Sequence, residues 1–172
     1  MTTYVALLRA VNLGGGSSVR MADVKSIADK LGYKQARTYL ASGNLLFTST
    51  MPREHVRETL EKSLSEHLGR SIKVVVRTDD EIAAVVRSNP FTDAAPAAVQ
   101  TFFLDDEPPE NLLDTVRNKD DERIAVGTRE IFVAYGEKGI GRSRLRIAAA
   151  DAGTARNMKT VSKLAELARE MS

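Results

Sequence analysis

The 172-residue chain has no cysteine, no tryptophan and only two histidines. Without cysteine there is no disulfide scaffold, no thiol nucleophile and no cysteine-ligated zinc or iron–sulfur site. His55 and His67 fall on one predicted helix, about 120° apart at 3.6 residues per turn, so they do not converge on a metal. No apolar run approaches the roughly 20 residues that a membrane span requires. The N-terminal segment from Met1 to Arg9 lacks a basic flank and a small-residue cleavage site, so it reads as a first strand rather than a signal peptide. A cytoplasmic protein with no membrane partner is the expectation. Aromatic residues make up 5%, too few for a large aromatic hot spot, and the net charge of +2 steers nothing by itself.

What is present is ordinary soluble-globular composition, 42% hydrophobic and 28% charged, in a chain long enough for one medium domain or two small halves. The charge is unevenly distributed. Asp105 to Glu122 carries eight acidic residues against Arg117 and Lys119, whereas Lys138 to Ser172 carries eight basic residues against Asp151, Glu166 and Glu170. The basic end either meets phosphates or docks on the acidic segment.

Hydrophobic periodicity sets the elements. Tyr4 to Arg9 is a strand, and Met21, Val24, Ile27, Ala28 and Leu31 recur at helical spacing before Gly32. Thr38 to Ala41 and Leu45 to Thr48 are strands around the Ser42-Gly43-Asn44 turn. Val56, Leu60, Leu64 and Leu68 stripe a second helix, and the β-branched run Ile72 to Val76 is a buried strand. The order is β-α-β-β-α-β, that of a ferredoxin-like split βαβ unit in an α+β protein. Thr78 and Glu81 then form a capping box, and Asn89-Pro90 ends that helix. The rest reads β-α-β-β-α-α: a strand at Val99 to Leu104, a helix around Leu112, Leu113 and Val116, a hairpin about Gly127-Thr128, a helix after Ser143 and a final helix through Val161, Leu164 and Leu167. Two halves are expected, 1–77 as the ferredoxin-like unit and 78–172 as a related α+β half packed on it, without a clear fourth strand.

Several segments carry a resemblance: Tyr4 to Gly15, Val19-Arg20-Met21, Arg37 to Phe47, Asn89-Pro90-Phe91, Gly139 to Ser143, Thr154 to Asn157 and Thr160 to Leu164. In this order they resemble the bacterial family catalogued as domain of unknown function 1697 (DUF1697), over about residues 4 to 168. The resemblance implies a cytosolic bacterial protein of ferredoxin-like type and brings no reaction with it. The family pattern places tryptophan after the Arg-Asn pair, where this chain has Met158, and the stretch from Ser143 to Thr154 is shorter than that pattern.

Candidate ligand contacts come from loops. Gly14 and Gly15 lie in a glycine loop between a strand and a helix, where free backbone N–H groups suit an anion. That loop lacks the Gly-Lys-Ser/Thr ending of a P-loop and the third glycine of a dinucleotide fingerprint, so no cofactor is implied. Gly141, Arg142 and Ser143 repeat the logic with a cation, Ser143 capping the predicted helix after it. Arg156, Asn157 and Thr160 precede the last helix, where basic residues at a helix start conflict with the dipole and a bound anion relieves the conflict. Antiparallel pairing of the first and third strands brings Arg9, Asn12, Ser42 and Asn44 to one rim. For each set the plain alternative is turn and cap chemistry. No nucleophile–base pair or carboxylate pair has diagnostic spacing, so an enzyme is the minority reading and its catalytic residues are left open. The leading expectation is binding of a phosphorylated small molecule or nucleotide through these residues. The alternatives are an interaction module, as in a homodimer, and nucleic-acid binding, which the absence of an aromatic pair on the third strand disfavours.

Overall fold

A computed structural model describes residues 1–9 and 19–172. The chain forms two compact units, Met1–Ile82 with Leu164–Ser172, and Ala83–Lys163. The class is mixed α and β, with two four-stranded antiparallel sheets.

In the first unit the order is β1 (Thr2–Leu8), α1 (Met21–Lys30), β2 (Lys34–Thr38), β3 (Asn44–Ser49), α2 (Arg53–Leu68), β4 (Val74–Thr78) and the start of α3 (Asp79–Ser88). The sheet order is β2-β3-β1-β4. Alternation along β1 sends Tyr4, Ala6 and Leu8 into a core with Val24 and Ala28 of α1 and Val56, Leu60 and Leu64 of α2. The i, i+4, i+8 stripe expected for α2 is therefore its buried face. Phe47 of β3 anchors this core, stacked on Tyr33 with ring centroids 4.4 Å apart. The predicted capping box is present: Glu81 Oε2 accepts the Thr78 N–H at 2.8 Å and Thr78 Oγ1 accepts the Glu81 N–H at 3.2 Å. Two strands are displaced from expectation. The second is β2, before Tyr39 rather than through Ala41, because Tyr39 to Gly43 is taken up by the turn. The fourth begins at Val74 and runs to Thr78, directly into α3.

The second unit contains β5 (Val99–Phe103), β6 (Arg123–Val126), β7 (Glu130–Ala134), the single turn α4 (Gly139–Arg142), β8 (Thr154–Asn157) and the start of α5 (Met158–Met171). Its sheet order, β6-β7-β5-β8, repeats that of the first unit. Three expectations need correction. A fourth strand exists: β8 pairs with β5, Thr101 opposite Arg156. The helix around Leu112 is only a 3₁₀ turn, Leu112–Thr115, after which Val116 is extended, so the apolar spacing spans barely more than one turn, too short to sustain an α-helix. No helix follows Ser143; an extended segment leads instead to the 3₁₀ stretch Ala148–Ala152. Glycine is needed just before β8, since a Cβ on Gly153 would lie 2.3 Å from the Phe103 carbonyl oxygen. The core under this sheet joins Leu104, Leu112, Ile131, Val133 and Ile147. Among the described residues no helix is long and apolar enough to cross a membrane.

Candidate functional site

Asn12, Gly14 and Gly15 lie outside the described residues. On the first unit, β1 and β3 pair so that Leu7 stands opposite Asn44, and the Leu8 N–H donates to the Gly43 carbonyl at 2.8 Å. The end of β1, with Arg9, and the Ser42-Gly43-Asn44 turn thus share one end of the sheet, as the strand pairing required. Asn44 is fully buried and donates from Nδ2 to the Tyr39 carbonyl at 2.7 Å and to Ser42 Oγ at 3.0 Å. Those contacts hold the turn in shape, with Leu40 at its tip kept at a φ of 62°. The bonds from Asn44 to Tyr39 and Ser42 are turn chemistry.

On the second unit, the loop carrying Gly141, Arg142 and Ser143 is held by acids. Ser143 Oγ donates to Glu122 Oε1 and accepts the Leu145 N–H at 3.2 Å; it does not cap a following helix, because none forms there. Glu122 is 2% exposed, and its other oxygen accepts the Asp120 N–H at 2.7 Å. Asp121 Oδ2 accepts the Glu137 N–H at 3.0 Å, and Lys138 pairs with Asp120. A Cβ at Gly136 would lie 1.9 Å from Asp121 Oδ2, so this contact needs glycine. The Ser143 hydroxyl, then the Asp120 amide, hold the Glu122 carboxyl below its ordinary range, and Asp120 raises the Lys138 ammonium. The acidic segment and the start of the basic one therefore dock on each other here. An anion approaching the loop from this side meets carboxylates.

Arg156 lies on β8 and is 6% exposed. It donates from Nη1 to Thr154 Oγ1 and to the Ala155 carbonyl, both at 2.8 Å, and burial pulls its guanidinium down to about 10, still charged at neutral pH. Asn157 Oδ1 accepts the Thr160 N–H at 2.9 Å, the expected N-cap of α5, and Thr160 is buried. Met158 is buried with its sulfur accepting the Thr101 hydroxyl at 3.0 Å. The same arrangement occurs in the first unit. Arg77 is 1% exposed on β4, donates to its own preceding carbonyl at 3.3 Å and stands just before the Thr78 cap of α3. A buried arginine before a capped helix is thus a shared feature of the two sheets, at matching strand positions.

Four cations stand apart from these networks. Arg117, Arg142, Arg144 and Arg146 are all exposed. Among the described residues no carboxylate pairs with any of them. Arg117 and Arg146 form an antiparallel bridge in which each N–H donates to the other's carbonyl, at 3.0 and 2.9 Å. Directly opposed residues of that kind project their side chains to the same face. Leu145 and Ile147 pack inward on the core, which leaves Arg144 beside Arg146 on the outer side. Arg117 escaped sequence reasoning because it sits in the acidic run; the Arg142, Arg144, Arg146 alternation was the available signal for the rest. A cavity of about 240 Å³ opens elsewhere on this unit, lined by Leu104, Asp105, Asp106, Glu107, Pro109, Ala149 and Ala152. Its three carboxylates repel phosphate. No group of three or more metal-ligating side chains occurs among the described residues.

The class this defines is an α+β protein of two antiparallel sheets, one of whose units carries four exposed arginines that no carboxylate pairs with among the described residues. The chain belongs to the family described as a protein of unknown function, DUF1697, whose model matches residues 1–132. A solved structure, that of the conserved bacterial protein SP0830 from Streptococcus pneumoniae, shares the fold. Its TM-score is 0.79 at 24% identity, covering 97% of this chain and 98% of that one. The chain matches none of the curated proteins.

Proposed function

We propose that this protein recognises a phosphate-bearing ligand, and that Arg142 with its neighbours Arg117, Arg144 and Arg146 are the groups that meet it. The observation carrying this reading is the Arg117–Arg146 bridge, with no carboxylate among the described residues paired to either side chain. Like charges directly opposite on paired backbone destabilise a sheet, and an anion between them removes that penalty. Guanidinium forks suit phosphate oxygens in a bidentate way that lysines do not. Arg9, Asn12, Gly14 and Gly15 remain proposed contacts on the first unit. Arg156, Asn157, Thr160, Ser42, Asn44 and Ser143 act as supports in this reading, each engaged within its own unit. The first unit is further read as a ferredoxin-like split βαβ, supported by its element order and its β2-β3-β1-β4 sheet. The family resemblance supports a bacterial, cytoplasmic setting.

Thermal denaturation with added inorganic tripolyphosphate tests the reading. The wild type should melt higher with ligand, by mass action. An Arg144→Gln/Arg146→Gln variant should lose that rise while its unliganded melting temperature is unchanged or slightly raised. An equal rise in both proteins, or none in the wild type, overturns it.

A further inference from the structure

We infer that the ligand of the arginine surface is the backbone of a single-stranded nucleic acid, bound without regard to sequence; this rests on the phosphate-recognition reading above. The deciding feature is shape. Sites for small phosphorylated molecules are concave and bury most of the ligand. Arg117, Arg142, Arg144 and Arg146 are exposed, and none of them lines the acidic cavity described above. Exposed cations outside a pocket hold a single phosphate weakly but gain one contact after another along a phosphodiester chain, releasing a counterion at each. Spacing agrees. Arg144 and Arg146 are two residues apart on a segment whose Ser143 and Ile147 are extended, so their stems repeat at about 6–7 Å along the surface.

The kind of strand follows from what surrounds the row. The segment lies between a single helical turn and a 3₁₀ stretch, so it presents no long recognition helix to enter a major groove. The exposed large hydrophobic residues among those described are Met, Leu, Val and Ile, with no aromatic ring to stack a base. Recognition therefore runs through phosphates, and a flexible single strand can bend to meet forks at fixed positions.

Fluorescence anisotropy of a labelled oligouridylate, titrated with the full chain over a range of salt, reads this directly. Four contacts predict a slope of log K against log salt of about −3, and Arg144→Gln/Arg146→Gln should flatten it by about 1.4. Lys30→Gln/Lys62→Gln removes the same charge from exposed positions on the first unit and should leave slope and affinity unchanged. Equal losses in the two variants overturn the inference, as does tighter binding of the corresponding duplex. If tripolyphosphate protects the protein but the oligonucleotide binds no more tightly than tripolyphosphate, the strand assignment fails and phosphate recognition stands. If neither binds, both fall. Equal binding of poly-glutamate would assign the surface to an acidic protein instead.

Discussion

The two units reach one strand order by different means. In the first, α1 and α2 cover the sheet and supply Val24, Ala28, Val56, Leu60 and Leu64 to the core. In the second, the same side is covered by Leu112 from a 3₁₀ turn and Ile147 from an extended segment, with Glu122, Ser143 and Asp121 fastening the connection. Helices bury a continuous apolar stripe and need few polar fixings. Irregular segments leave backbone groups to satisfy, which the carboxylates of Asp121 and Glu122 do. The contrast teaches that sheet topology tolerates a change of covering. The irregular covering is also where unpaired arginines gather, in line with the tendency of loops on a rigid scaffold to carry function.

The comparison can be broken most forcefully at the aromatic centre of the first unit. Phe47→Ala removes a fully buried ring stacked on Tyr33 and should cost about 3–5 kcal/mol, read by urea denaturation. A cost below about 1 kcal/mol would mean the first core is not packed as described. In the second unit the corresponding weak point is polar. Glu122→Gln should cost about 1.5–3 kcal/mol at neutral pH by weakening charge-assisted bonds to Ser143 and Asp120. The pH sense is fixed by the carboxyl's lowered pKa. Its stabilisation is complete above the unfolded-state pKa and is lost as pH falls through the folded-state pKa. The gap between wild type and Glu122→Gln should therefore close on acidification and stay constant as pH rises from neutral. The smallest effect sharpens the likeness of the units. Thr78→Ala and Asn157→Ala each remove an N-cap from the helix after the last strand and should each cost about 1 kcal/mol. Very unequal losses would show that the two caps are not equivalent.

Much of the first unit was legible in the residues because its signals are local. The α2 stripe, the Thr78–Glu81 box and the Ser42-Gly43-Asn44 turn each depend on neighbours within four residues. The second unit was read less well for the same reason. β8 is a four-residue strand without a hydrophobic run, Thr-Ala-Arg-Asn, and exists because β5 offers it an edge. The apolar residues around Leu112 read as helix from their spacing, yet only a 3₁₀ turn forms. At the candidate site, cap chemistry before α5 was open to sequence reading, since Asn157 and the amide it accepts are three residues apart. Ser143 was misjudged because its partner, Glu122, lies 21 positions away.

By itself the sequence determined the α+β class, the element order of the first half, the caps of α3 and α5, and the absence of cysteine-based chemistry, all of which follow from composition or short-range periodicity. Tertiary structure decided which charges are spent and which are left. It buried Arg77 and Arg156, joined Lys138 to Asp120 and Ser143 to Glu122, and set Arg117 opposite Arg146 with no carboxylate among the described residues paired to either. The reason is physical: a charge's fate depends on its distance from other charges and from water, and chain folding brings together residues that no spacing along the sequence connects.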